Sequence, residues 1–427
     1  MPSNGFDEPV DRRLFLQSTG AGLALAALAE TRALADDKDE EPAPVVYRPR
    51  VAAIVTEYRG YSHAEIIVDR FIQGYNLTDT ETYWARTQVV SLFLDQIPAG
   101  DLGRGMAVQA GAKIVPTIRE ALTLGTGKLA VDGVLLIGEH GQYPKNAKGQ
   151  HQYPRRRFFE ETVRTFQDVG NTAAVFNDKG FGYRWEDAKW MYDQARTMGF
   201  PLMAGSSVPN SYRKPEMDVA LGTEFEECLA IGYGGLEPYG FHALETLQCM
   251  AERRRGGETG VKAVTCLEGP AVWKAAAEGR WSRTLLDAVL ACVEKKKTGT
   301  PERRCPNPEL MLIEYVDGLK SAVIQLDGYS QAFGFAGKIR NQPDPVAAHF
   351  WLQEPGWGHF AYQTHNIENM FLTGKETYPP ERTLLTTGIL DAVMTSRFEK
   401  HRRIETPWLE DVRYQVTGDT GRRPKLV

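Results

Sequence analysis

The sequence predicts an α/β protein in two parts: a Rossmann-like domain with a doubly wound parallel sheet, then an α+β domain with a large open, mostly antiparallel sheet. Three observations carry this. Residues 172–209 read as strand, polar turn, helix and strand, the pattern of a parallel crossover unit. Upstream of that unit the same alternation repeats, with each strand ending in a polar turn. After Pro209 the texture shifts to apolar runs that alternate like strands of an antiparallel sheet.

The central unit is the clearest. Ala173, Ala174, Val175 and Phe176 form a short apolar strand, broken by Asn177, Asp178, Lys179 and Gly180. Ala188, Met191, Ala195 and Met198 then recur at helical spacing, which predicts a helix over 185–198. Gly199 ends it and Pro201 blocks any extension, so a second strand follows over 201–204. Lys179 thus stands at the carboxyl end of a strand, where open α/β sheets place their ligands.

The remaining elements follow in order. Residues 50–56 read as a buried strand and 64–71 as a helix. Strands follow at 89–94 and 131–138, with helices at 105–112, 118–124 and 157–169. In the second half, strands are expected at 224–235, 260–269, 309–316, 322–327 and 350–352. Helices are expected from 240 to about 254 and at 285–294, 359–372 and 386–398, covering one face of the sheet.

Residues 1–35 read as an export signal rather than as fold. Arg12-Arg13-Leu14-Phe15-Leu16 is a twin-arginine signature, an apolar stretch follows, and Ala33-Leu34-Ala35 is a cleavage site. Residues 36–46, acidic and Pro-containing, read as a linker, which puts the Rossmann-like domain at 47–208 and the second domain at 209–427. The mature chain is expected outside the cytoplasm, in a periplasmic or similar compartment, with no membrane span. A net charge of −5 over 427 residues argues against nucleic acid as the main partner. The run Arg155-Arg156-Arg157 reads as a solvated loop or helix start, with an anion contact as the alternative. Five cysteines lack any C-x-x-C spacing, which argues against a zinc or redox site, and an oxidising compartment would allow one or two disulfides.

Candidate site residues cluster at strand ends. Lys179, flanked by Asp178, is a cationic clamp for a sugar hydroxyl or carbonyl oxygen. His242 lies near a helix start with Glu245 three residues on, a spacing at which a carboxylate can fix the tautomer of an imidazole. The turn after the first strand is where a dinucleotide fingerprint belongs, yet it keeps only Gly60, with Thr56, Tyr58 and Tyr61 where glycine would be wanted. Asp95 ends the second strand, where an acidic residue accepts hydrogen bonds from a ribose or caps a turn. Glu57, His63, Glu139 and His140 all follow sheet strands and suit either a divalent metal or hydrogen bonding within the crevice. Trp351, Trp357, His359 and His365 are candidates for a substrate face or for plain packing.

Taken together, Asp178-Lys179-Gly180, the helix and strand after it, the segment from Pro238 to Glu245 around His242, and the closing stretch TTGILDAVMTSRFEKHRRIETP resemble the Gfo/Idh/MocA oxidoreductases. The resemblance covers nearly all of the expected mature chain. It departs from the family where Glu-Lys-Pro has become Asp-Lys-Gly and where an aspartate has become Pro238. It implies hydride transfer between NAD or NADP and a sugar or cyclitol hydroxyl. Lys179 would lower the hydroxyl pKa, His242 would act as general base, and Glu245 would support it. Thr56, Tyr58, Gly60, Asp95, Glu139, His140 and Asp178 would line the cofactor site, and a homo-oligomer would form through the open sheet. Two other readings stay open: a non-redox, metal-assisted carbohydrate lyase, hydrolase or isomerase, and a catalytically silent glycan binder on the same fold.

Overall fold

The computed structural model describes residues 47–77, 81–353 and 357–418. The expected export signal and the linker at 36–46 lie outside the described residues.

The first sheet is parallel throughout. Its strands are β1 (Arg50–Val55), β2 (Gln88–Leu94), β3 (Lys113–Ile114), β4 (Gly133–Ile137), β5 (Ala174–Asp178) and β6 (Leu202–Gly205), in the order 3-2-1-4-5-6. The order reverses between β1 and β4, and the crevice beyond the strand ends at such a point is where this architecture binds ligands. β1 is buried on both sides, which explains its unbroken apolar run. Val51, Ala53 and Val55 face α1 (His63–Gln73) and α2 (Gly103–Ala110). Ala52 and Ile54 face α3 (Ile118–Thr123) and α4 (Arg155–Val169). α5 spans Trp185–Met198, as its spacing predicts, and ends on Gly199 in the left-handed conformation.

The chain crosses from one sheet to the other between Gly205 and Tyr212. The second sheet has eight strands, with Phe225–Gly232 and Lys320–Gln325 as its one parallel pair among the described residues. Helix α6 (Leu236–Ala251) and the helix Pro380–Phe398 cover one face. The other face is not bare, as the sequence reading expected. Pro270–Ala277 and Arg283–Ala291 pack there through Val272, Leu286 and Val289. Strand Lys113–Ile114 of the first sheet and two strands of the second escape the sequence reading. Phe333–Ile339 is hidden by Gly334 and Gly337, where a Cβ would strike Val289 and Phe225 at 2.6 and 2.4 Å. Tyr212–Lys214 is too short to signal itself.

The last two helices return to the first sheet. Helix Gly358–Thr373 lies on its face, so closely that a Cβ on Gly133 would sit 2.8 Å from the Phe371 ring. From Arg48 on, the two sheets therefore belong to one compact unit. All five cysteines are free thiols, four of them buried, so the allowance for disulfides is not used. Among the described residues, no helix is long and apolar enough to cross a membrane.

Candidate active site

The loops after β1, β4, β5 and β6 meet at the reversal point of the first sheet. Three of their residues adopt left-handed backbone without being glycine: Tyr61 at φ 61°, His140 at 69° and Lys179 at 60°. Such strain survives only where the surroundings impose it, and it gathers at functional sites. At Lys179 the cause is visible. Its N–H donates to Gly205 O at 3.2 Å, and Gly205 N–H donates back to Lys179 O at 3.0 Å. The Asn177 amide holds Gly180 O at 3.0 Å and closes the turn. Gly205 is required here, since a Cβ would lie 2.8 Å from the Thr383 hydroxyl and 2.9 Å from Glu245.

The turn aims Lys179 at Glu139, with Nζ 2.7 Å from Oε1. Arg155 binds the other oxygen of Glu139, its stem passing so close to Gly138 that a Cβ there would meet Cγ at 2.7 Å. Burial pushes the Glu139 pKa up, but Lys179 and Arg155 outweigh it and hold the carboxyl well below the usual range. Asp178, 1% exposed, turns the opposite way and meets His63 Nδ1 at 2.7 Å. The His63 ring stands edge-on to His140 at 5.4 Å and to Phe360 at 5.4 Å. His140 keeps a buried Nε2 with no partner. Burial lowers its pKa to about 3, against Glu139 and with the help of His63 and Lys179.

His242 comes from α6. The helix starts at Leu236, four residues earlier than its sequence suggests, so His242 falls in the second turn, buried, with Nδ1 2.6 Å from the Ser206 hydroxyl. Burial drives its pKa well below the ordinary histidine value, and the charges of Lys179 and His63 add to this. The charge of Lys179 thus reaches the predicted histidine, while the His242 ring itself lies buried among Ser206, Tyr239, Phe241 and Phe333. Glu245 does not support His242. It lies among threonines, 2.6 Å from Thr386 Oγ1 and 3.2 Å from Thr383 Oγ1, and burial raises its carboxyl to about 7 against the pull of Arg382. Glu245 lies one turn further along α6, where Thr383 and Thr386 of the helix Pro380–Phe398 hold its carboxyl.

The residues expected at a cofactor divide in the same way. Tyr58 is fully buried and gives its hydroxyl to Asp69, so it does not face the crevice. Both Asp95 oxygens are engaged, by Tyr143 at 2.6 Å and Arg157 at 2.5 Å, so Asp95 serves as a turn anchor here. Thr56 spends its hydroxyl on Glu139 O at 2.5 Å. Gly60 remains open, with nothing within 4 Å of an added Cβ. Ser62 caps α1, accepting from Glu65 N at 3.2 Å, while the Glu65 carboxylate takes Tyr61 N–H. The start of α1 thereby satisfies itself, an arrangement close to a capping box.

The metal constellation does not assemble. Glu139 lies between two cations, Glu57 binds Arg59 at 2.6 Å, and no group of three or more ligating side chains exists among the described residues. The arginine run is a helix start, as one reading of the sequence had it, and only part of it is solvated: Arg157 is exposed and Arg155 is not. Arg155 is buried on Glu139, Arg156 lies over Trp190 at 3.4 Å, and Arg157 anchors Asp95. His359 and His365 are packing residues, bonded to Leu352 O at 2.7 Å and to the Tyr75 hydroxyl at 3.2 Å. Trp357 packs on Tyr61 and Trp351 on Lys214.

A cleft opens on the other side of Lys179, lined by Glu139, Tyr153, Arg155, Tyr183, Glu237 and Phe241 among others. Neither His63 nor His242 lines it. His151 stacks on Tyr153 at 5.2 Å and its Nδ1 meets Glu237 at 3.2 Å. Sequence reasoning missed this wall, the His63–Asp178 pair and the Ser206–His242 pair. The polar, aromatic composition of residues 142–153 was the available signal for the wall.

Strand order, crevice and second sheet together define a class: a Rossmann-type domain joined to a largely antiparallel sheet, with the crevice at the carboxyl ends of the parallel strands. Solved structures share that fold along most of this chain. GenD2 from gentamicin A biosynthesis, in complex with NAD, is 15% identical with a TM-score of 0.53, covering 87% of this chain and 99% of its own. A myo-inositol dehydrogenase from Lactobacillus casei, in complex with NAD(H) and myo-inositol, is 11% identical with a TM-score of 0.51, covering 87% and 98%. An apo scyllo-inositol dehydrogenase from the same organism is 10% identical with a TM-score of 0.50, covering 84% and 98%. Two of these neighbours are named as inositol dehydrogenases, and two were solved with the nicotinamide dinucleotide bound. No family model and no curated protein matches the chain.

Proposed function

We propose that this chain is an exported oxidoreductase of the Gfo/Idh/MocA type that moves hydride between NAD or NADP and a hydroxyl of a sugar or cyclitol. The observation that carries the reading is the placement of the Lys179–Glu139 and His63–Asp178 pairs together at the reversal point of the sheet. The fold shared with dehydrogenases solved with NAD supports it. The twin-arginine signature supports export. The resemblance supports assembly into a homo-oligomer, although the helices on the outer face of the second sheet narrow the surface available for it.

The residues present fit the nicotinamide end of such a cofactor. His140 offers a buried nitrogen with no partner, close to the Lys179–Glu139 pair. Glu65 takes Tyr61 N–H at the start of α1, so that donor would be free for a phosphate only with Glu65 moved aside. When bound, the nicotinamide supplies the hydride acceptor. The protein does the rest. Lys179, held in place by Glu139, donates to the substrate oxygen and favours its alkoxide. An imidazole of the crevice receives the hydroxyl proton.

Titration of the purified protein with NAD and NADP, followed by turnover with a panel of polyols, tests this reading. Saturable binding and nicotinamide reduction are expected. Absence of binding for both nucleotides would contradict it.

A further inference from the structure

We infer that the proton acceptor of the site is the His63–Asp178 pair, with His242 in a structural or donor role. The inference rests on the dehydrogenase reading above and names the residue that this reading leaves open.

The argument starts from hydrogen-bond chemistry. A carboxylate only accepts hydrogen bonds. Asp178 Oδ2, 2.7 Å from Nδ1 of His63, therefore requires the proton on Nδ1. That leaves Nε2 as a lone pair, and this nitrogen has no protein partner among the described residues. The His63 side chain keeps 13% exposure, so the ring is not sealed. Asp178 itself is 1% exposed and fixed at the end of β5, so the pair is rigid.

His242 offers no such arrangement. Its Nδ1 partner is the Ser206 hydroxyl, which also accepts Val208 N–H at 3.0 Å. Its neighbouring carboxylate, Glu245, is turned to Thr386. Among the described residues, no carboxylate is hydrogen-bonded to His242. One is hydrogen-bonded to His63, and this is the arrangement that acid–base catalysis by histidine calls for.

The step balances. The substrate O–H bond breaks and its proton goes to Nε2 of His63. The carbinol C–H bond breaks and its hydrogen leaves with both electrons to an oxidised nicotinamide. The carbon–oxygen bond becomes a carbonyl. The imidazolium that forms is held by Asp178. Charged and titratable groups facing His63 are Asp178, Lys179, Glu139, His140, His242 and His359.

The test uses the full chain labelled with nitrogen-15 at histidine. Long-range proton–nitrogen correlation reads the tautomer, and His63→Gln assigns the signal. The expected result is Nδ1–H at His63, shifting toward Nε2–H in Asp178→Asn. An Nε2–H tautomer in the wild-type protein overturns the inference, whatever the activity. With an active wild-type enzyme, His63→Gln is expected to lose turnover by roughly a hundred-fold or more, with the acid limb of the pH–rate profile gone. Retention of turnover and profile in that variant overturns the pair and leaves the dehydrogenase reading intact. An inactive wild-type protein with the Nδ1–H tautomer present would instead fail the dehydrogenase reading and keep the pair.

Discussion

Asp178 Oδ2 lies 2.7 Å from His63 Nδ1, although 115 positions separate the two residues. Asp178 ends β5 and His63 begins α1 directly after the β1 turn. Only the strand order, with β4 between β1 and β5, brings them to one crevice. The same order delivers Glu139 from β4 to Lys179 from β5. The crevice is thus assembled from strand ends distant in sequence, with Asp178 holding His63 and Glu139 holding Lys179.

Lys179→Met removes the ammonium while keeping the length of the side chain. Glu139 retains Arg155, so the fold is expected to hold. Turnover is expected to fall roughly a hundred- to a thousand-fold, the scale seen when one donor to a developing oxyanion is lost. Steady-state kinetics with nucleotide binding measured alongside checks it, since binding should change far less than turnover.

Glu65→Gln removes the negative charge at the start of α1, where a phosphate would sit. A like charge there opposes an anionic ligand by about 1 kcal/mol. Nucleotide affinity is expected to rise by up to about fivefold in calorimetric titration at low salt.

Arg382 and Glu252 form a buried pair, 3% and 2% exposed, with Glu252 also accepting from the Tyr414 hydroxyl at 2.8 Å. Arg382→Met leaves that carboxylate buried with its cation gone. The expected loss is about 3–5 kcal/mol in urea unfolding, and Arg382→Met combined with Glu252→Gln should recover part of it.

The legible part of the fold was local. The helix Trp185–Met198 and the longer strands of the parallel sheet follow from spacing and from buried apolar runs. The start of α6 was misplaced because Gly235 and Pro238 look like a turn, yet proline is tolerated in the first turn of a helix. The partners of His242 and Glu245 come from Ser206 and Thr386, far away in sequence, which no local spacing announces. Lys179 was readable from its strand end. His63 was visible only as one of several strand-end histidines and acids, because its partner is fixed by sheet order and not by spacing. Tyr58 and Asp95 sat at positions suited to a cofactor but were taken by Asp69, Tyr143 and Arg157, contacts that no local pattern announces.

Glu245 gives a pH signature. Burial raises its carboxyl from the ordinary 4.5 to about 7, against Arg382 and the Thr386 bond. A carboxyl that binds its proton more tightly in the folded state stabilises the fold fully below its unfolded pKa, and loses this as pH rises through its folded pKa. Stability should therefore decline between about pH 4.5 and 7. Glu245→Gln, neutral at every pH, should flatten that decline and unfold later than the wild type at about pH 8, by at most on the order of 3 kcal/mol. Thermal unfolding across this range measures it.

The central claim is hydride transfer from a polyol carbon in this crevice. Incubation of the full chain with NAD or NADP and a polyol deuterated at its carbinol carbon, followed by mass spectrometry of the nucleotide, tests it most directly. Deuterium in the reduced nicotinamide, abolished by Lys179→Met, is the expected result. A folded protein that binds the polyol but reduces neither nucleotide would contradict it.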